Sequence, residues 1–316
     1  MWNRLIYRYL ILIISGFFSC VAAADLSTSF KQADPSNLAV YMNQIIRPGV
    51  ARNYKNVEEL NRISARLKEQ MRLFGIPCNY QTYEVYGKNY RNVLCYINVG
   101  RSDKIIIGAH YDAFEKTSGA DANASGVAGV LEIARLLAAE RSSLKHNIEF
   151  VFYTLKEQPF FKTAQMGSYI HAKSVQQQKE QIKAAFILDM IGYYDIKNVQ
   201  QYPAGMKWIY PSHANFIATL SNIQSSDIGN AYCASMQKLN QLDCQRMVTP
   251  SFLAGADFSD HFNYWQFDIP AILITDTGKY RNKFYHTQED RIDKLDTVKM
   301  AQVINGLAST ILESNF

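Results

Sequence analysis

Hydrophobic residues recur along this chain in two rhythms. Short unbroken apolar runs at Ile105–Ile107, 148–154 (IEFVFYT), 184–190 (AAFILDM) and 269–275 (IPAILIT) are the pattern of strands buried on both faces. Between them lie stretches with apolar residues three and four apart. Leu60, Ile63, Leu67 and Met71 share one helical face, and Asn56 with Glu59 three residues on predicts the start of that helix, which Gly75 ends. Val127, Val130, Leu131, Ala134, Leu137 and Ala138 make a second stripe, predicting a helix over 125–139. Further helices are predicted over 37–47, 164–180, 212–220 and 296–312. A further strand is predicted over 206–210, and a loop over 155–165. Two strand-like runs, 80–86 and 91–98, are joined by a turn near Gly87 and predict a hairpin at one edge. Residues 221–256 show no clear rhythm.

Strands alternating with helices predict an α/β fold, a three-layer sandwich whose mostly parallel, mixed central sheet is flanked by helices. The 316 residues, 48% apolar and 19% charged, suit one domain with a sizeable core. An aromatic content of 13% excludes a disordered or fibrous chain.

The first 24 residues read as a signal peptide: Arg4 and Arg8, an apolar stretch from Leu10 to Phe18, then Ala22–Ala24 as a cleavage site. A single domain over 25–316 would remain, with no membrane span after cleavage. The expected location is periplasmic or secreted, with a lipoprotein anchored at Cys20 as the alternative. Removing Arg4 and Arg8 lowers the net charge from +5 to +3, and no long basic tract marks a nucleic-acid partner. Without Cys20 four cysteines remain. In an oxidising compartment they predict the pairs Cys78–Cys95 and Cys233–Cys244, against the alternative of four buried free thiols.

The candidate chemistry lies at strand ends. His110, Asp121, Glu157, Asp189 and His286 each end a buried strand or enter the loop beyond it, and in a parallel sheet those ends share one edge. Two imidazoles and three carboxylates suit zinc, or a pair of ions with one carboxylate shared between them; Asp121 is the candidate for sharing. Asp121 and Asn123 would equally serve as caps of the helix that follows.

In their order along the chain, HYD (110–112), SGADANASG (118–126), EFVFYTLKE (149–157), MGS (166–168), LDMIG (188–192), SDH (259–261) and YHTQED (285–290) resemble the M28 family of zinc aminopeptidases, which also includes glutaminyl cyclases. The resemblance implies a zinc-exopeptidase-like fold and two zinc ions. His110 and Asp189 would hold one ion, Glu157 and His286 the other, and Asp121 would bridge them. Asp112 would orient His110 from behind, and Asp257, Asp260 and His261 would support the pocket. The implied partners are peptides, held by their N-termini. Two positions depart from the pattern. Ala122 stands where the family has a second aspartate, a loss read as mild. Lys156 stands at the glutamate that acts as general base. A register shifted by one would instead make Glu157 the base and Gln158 the ligand. A lysine, with an ordinary pKa of about 10.4, cannot accept the proton of an attacking water while charged. Three functions follow from the resemblance: an exported aminopeptidase, a metal-binding pseudoenzyme that binds peptides or a partner, and a glutaminyl-cyclase-like acyltransferase. Tyr193 and Tyr194 are candidates for a pocket lining or for core packing, and Phe160 and Phe161 for the wall of a side-chain pocket.

Overall fold

The computed structural model describes residues 30–202, 206–250 and 257–313. The predicted signal segment and Cys20 lie outside them. In chain order the main elements are α1 (Pro35–Ile45), α2 (Val57–Leu73), β1 (Cys78–Val85), β2 (Lys88–Ile97), β3 (Asp103–His110), α3 (Gly126–Ala139), β4 (Asn147–Tyr153), α4 (Gly167–Gln177) and β5 (Gln181–Leu188). Then come β6 (Asp195–Val199), β7 (His213–Ala214), β8 (Phe216–Ser221), α5 (Ser226–Leu239), β9 (Asp243–Val248), α6 (His261–Trp265), β10 (Ala271–Thr275) and α7 (Thr297–Glu313).

Eight strands form one mixed sheet in the order β1-β2-β4-β3-β5-β10-β8-β9, and β6 pairs with β7 apart from it. The central β4, β3, β5 and β10 are mutually parallel, so their C-terminal ends open on one edge. The hairpin β1–β2 adds antiparallel strands on one side, and β8 runs antiparallel to β10 on the other. The two-residue periodicity of a strand sorts the apolar runs between two cores. Ile105, Ile107, Phe150 and Phe152 face a large core with α3 and α7. Ile106, Val151 and Tyr153 face a smaller one with α4 and α6. Gly108 is where β3 admits the Tyr153 ring: an added Cβ would lie 2.3 Å from its hydroxyl oxygen. The stretch Ala120–Ala139, apolar and long enough to cross a membrane, is instead mostly buried in the large core.

Local signals act as the sequence predicts at several points. The Asn56 side chain accepts from Glu59 N at 3.2 Å and caps α2. Tyr86 and Gly87 both have positive φ between paired Val85 and Lys88, the two-residue turn that matches strand twist. Cys78 faces Cys95 across the hairpin and is bonded to it, and Cys233–Cys244 ties α5 to β9. Elsewhere the structure differs. Residues 206–210 begin a short 3-10 turn (Met206–Trp208), not a strand, and the segment expected as a helix over 212–220 forms β7 and β8. Phe216–Ser221 is buried at every position, and a short apolar run of that kind fits helix and strand equally. The unplaced region contains α5, whose buried Ile228, Gly229, Tyr232, Ser235 and Met236 do follow the helical period, and then β9.

The smaller core carries a polar chain. Tyr153 and Tyr264 hydroxyls lie 2.6 Å apart, Tyr264 Oη meets His171 Nδ1 at 2.7 Å, and His171 Nε2 meets Glu149 Oε1 at 3.1 Å. Glu149 also accepts from Lys104 Nζ at 3.0 Å. Burial alone would push its carboxyl up, but His171 and Lys104 hold it down at about 2. A depressed carboxylate stabilises the fold above its unfolded value and stops doing so as pH falls toward its folded one. Glu149→Gln should therefore cost about 3 kcal/mol at pH 7, since it leaves buried partners unpaired. The difference from wild type in urea unfolding should narrow below about pH 4.5, where the unfolded carboxylate takes up a proton.

Candidate active site

The sheet delivers the candidate residues to one edge. His110 is the last residue of β3, Lys156 and Glu157 follow β4, Asp189 follows β5, and His286 lies in the long loop after β10. The chain turns sharply at three of these points. Leu155, Met190 and His286 adopt left-handed φ of 60°, 58° and 59° although none is glycine. Each such residue costs about 1–2 kcal/mol of backbone strain. Leu155 and Met190 are clamped by near-complete burial, which keeps them there.

Asp112 organises the edge. Its Oδ1 accepts from Lys156 N at 3.2 Å and its Oδ2 from Glu157 N at 3.0 Å, so it fixes the loop that carries both side chains. It also faces His110: Nδ1 lies 3.4 Å from Asp112 Oδ1 and 3.1 Å from its carbonyl oxygen. That leaves His110 Nε2 pointing at Asp189 Oδ1, 3.5 Å away. On the other side His286 Nε2 stands 3.2 Å from Glu157 Oε2. His286 is held between rings, stacked with Phe114 at 4.1 Å and with Tyr285 at 3.7 Å between centroids. Ser259 Oγ donates to Asp189 Oδ2 at 2.5 Å.

Lys156 joins the two halves. Its Nζ lies 3.2 Å from Glu157 Oε1 and 3.2 Å from Asp189 Oδ2, and the residue keeps only 4% of its surface exposed. Burial would push this ammonium down, but Asp189 and Glu157 outweigh it and hold the group well above the ordinary lysine range. The carboxylates respond in kind. Burial raises both, yet Lys156 draws Glu157 down to about 2 and, with His110, draws Asp189 well below the usual range. His110 is pushed down by burial and by Lys156, but Asp189 and Asp112 raise it to about 10.

Asp121 goes elsewhere. Its Oδ1 accepts from Gly192 N at 2.9 Å and Ser125 Oγ at 3.2 Å, and its Oδ2 accepts from Asn282 Nδ2 at 2.7 Å. Asp276 is its carboxyl neighbour: burial and the Asp276 charge push Asp121 up, and burial raises Asp276 to about 6. No hydrogen bond or ion pair joins Asp121 to His110, Glu157, Asp189 or His286. Its backbone is held by Asp290, which accepts from Asp121 N and Ala122 N at 2.9 and 3.1 Å.

The supporting residues are also placed. Asp260 Oδ1 accepts from Ser168 Oγ at 2.5 Å, and burial raises this carboxyl to about 6. Asp257 pairs with Lys162. Phe160 is buried among Tyr54, Tyr86 and Tyr90, whereas Phe161, half-buried, lies 5.9 Å from Lys156 Nζ. Tyr193 donates its N–H to Asp276 Oδ2, and Tyr194 its hydroxyl to Ile191 O, so both serve loop packing.

This donor set does not fit a zinc pair as it stands. Two donors on a tetrahedral ion with bonds of 2.0–2.1 Å lie about 3.3 Å apart, and the His110–Asp189 and Glu157–His286 spacings approach that value. Catalytic zinc, however, takes three protein ligands. Among the described residues no group of three or more His, Cys, Asp or Glu side chains gathers to hold an ion. The carboxylate expected to be shared is hydrogen-bonded to Gly192, Ser125 and Asn282, and an ammonium lies between the two halves. Asn282 was not singled out from the sequence, and Ser259 only as the first residue of SDH, because a polar residue in a loop carries no periodicity that marks it.

Comparisons with known proteins accord with this fold. The model of peptidase family M28 matches residues 92–311. An uncharacterized protein, YfbL, of Escherichia coli K12 is 39% identical over 302 residues, covering 92% of this chain and 91% of that one. Leucine aminopeptidase 1 of Pyrenophora tritici-repentis is 28% identical over 220 residues, 64% of this chain and 50% of the relative. The chain thus aligns with about half the length of that aminopeptidase. Among solved structures, a leucine aminopeptidase precursor of Bacteroides thetaiotaomicron superposes with TM-score 0.69 at 20% identity, covering 90% of this chain and 99% of that one. A glutaminyl cyclase from the same organism gives TM-score 0.68 at 20% identity, with 90% and 100% covered. At that identity the likeness is one of fold.

Lys156→Met should cost about 3–5 kcal/mol in EDTA, because it leaves Asp189 and Glu157 as uncompensated buried charges. Denaturant unfolding at pH 7 checks this. A loss below 1 kcal/mol would show that the carboxylates do not depend on the ammonium.

Proposed function

This chain belongs to peptidase family M28, and on that premise we propose that it is an exported protein that binds peptides by their free N-termini without hydrolysing them through a pair of zinc ions. The observation that carries the reading is the commitment of Asp121 to Gly192, Ser125 and Asn282, which leaves no carboxylate shared between the two donor pairs. The general base of the family pattern is also missing, and a protonated lysine stands in its place. Losing a positioned acid–base group typically removes about 10²–10⁴-fold in rate.

Recognition needs less than catalysis. Asp260 Oδ2 is a buried carboxylate oxygen without a hydrogen-bond partner, and Asp189 Oδ1 has only His110 Nε2, 3.5 Å away; such oxygens are the acceptors that a peptide α-ammonium requires. Phe161, whose ring centre lies 5.9 Å from Lys156 Nζ, and Phe114, stacked on His286, are both half-buried and offer apolar surface for a first side chain. Two disulfides suit the oxidising compartment that the predicted signal peptide implies.

A second reading, an aminopeptidase that turns over, draws on one observation: the spacings of 3.5 and 3.2 Å within the donor pairs are those of ligands on a common ion. The two readings separate in one assay. Purified protein with added zinc is titrated with a fluorescent leucyl tripeptide and its N-acetylated form, and hydrolysis of leucyl p-nitroanilide is followed in parallel. The binding reading predicts at least about tenfold preference for the free amine, a loss of about 1.4 kcal/mol on acetylation, with hydrolysis at background. Turnover near 1 s⁻¹ or faster, the range of ordinary enzymes, establishes the aminopeptidase. Equal binding of both peptides without turnover removes both readings. A peptide with N-terminal glutamine, followed for ammonia release, tests the cyclase alternative in the same experiment.

A further inference from the structure

We infer that Lys156 is a resident counter-ion that takes the place of a divalent cation between Asp189 and Glu157, and that removing its charge turns the site into one for a single divalent ion. The inference rests on the absence of a working zinc pair argued above, and it assigns that absence to one side chain. The Nζ atom is equidistant from the two carboxylates, 3.2 Å from each, and buried with them. Two carboxylates this close and this buried must be balanced by positive charge within a few ångströms, and the ammonium supplies it. A divalent ion entering the same space would meet that charge first.

Each of the remaining donors has an anchor other than the lysine side chain. Glu157 is held through its backbone N–H by Asp112 Oδ2. Asp189 is held by Ser259. His110 is held through Nδ1 by Asp112, and His286 by the rings of Phe114 and Tyr285. They stand as two pairs, His110 Nε2 with Asp189 and His286 Nε2 with Glu157, and Nζ lies 3.2 Å from one carboxylate oxygen of each pair, so an ion in its place would have to draw the two pairs together. An ion there would draw the carboxylate oxygens in by about 1 Å to reach ordinary zinc–oxygen distances. Two carboxylates and two imidazoles would supply four donors whose charge balances one zinc ion. The stoichiometry is one ion, because Asp121 is committed elsewhere and cannot serve a second.

The test uses the full chain, stripped with EDTA, equilibrated with zinc sulfate and desalted. Zinc per chain is measured by plasma mass spectrometry, and thermal unfolding is recorded with and without zinc. Wild type and Lys156→Arg, which keeps the charge, should hold substoichiometric zinc and show no zinc-dependent shift. Lys156→Met and Lys156→Gln should each hold one zinc per chain and unfold several degrees higher in its presence. Adding His286→Ala to Lys156→Met should abolish both effects. Stoichiometric zinc on the wild type overturns the inference, as does a folded Lys156→Met or Lys156→Gln chain that binds none. Failure of both to fold even in zinc overturns it too, since the ion then does not replace the ammonium. A zinc-free wild type that cleaves peptides would remove only the reading of peptide binding without hydrolysis.

Discussion

Charge balance inside a closed space is the constraint on which this site depends. Asp189 and Glu157 leave neighbouring regions of the sheet and meet at its carboxyl edge, nearly cut off from water. In a low-dielectric setting two unpaired carboxylates repel each other and lose their hydration, and either penalty would displace a loop. The ammonium of Lys156, 3.2 Å from both, removes the problem with one side chain. The neighbouring imidazole of His110 faces Asp189 from the same edge.

The fold exists in large part to bring these groups together. Four parallel strands end at one edge, and the loops that leave them turn through left-handed residues at Leu155 and Met190. Asp112 then fixes two backbone N–H groups at once, so the aim of Lys156 and Glu157 is set by a carboxylate 44 positions away in sequence. Rigid placement of this kind suits a catalytic centre, and it equally suits a binding site whose donors must not collapse when one member of the set is replaced. The M28 architecture is the frame in which these groups meet.

Much of this was readable in the sequence. The isoleucine run before His110 and the apolar run before Glu157 announce buried strands, and the topology then puts their ends together. The cysteine pairs were legible because Cys78 and Cys95 flank a hairpin. Other features were not. Phe216–Ser221 has no alternation because both of its faces are buried, so its period could not separate strand from helix. The direction of the Asp121 side chain was beyond reach for a different reason. It depends on donors 71 and 161 positions away, Gly192 and Asn282, and on Asp276, and no local pattern records such partners. Lys156 is the converse case: its identity was plain in the sequence, but only the structure shows that it faces inward to both carboxylates and not outward to water.

The most direct test is crystallographic. Crystals of the wild-type protein grown with excess zinc sulfate, with data collected on either side of the zinc absorption edge, would show what lies between Asp189 and Glu157. The account predicts no anomalous peak there and continuous density for the Lys156 side chain reaching both carboxylates. Two anomalous peaks about 3.5–4 Å apart, one beside His110 and Asp189 and one beside Glu157 and His286, with Lys156 swung out, would contradict it.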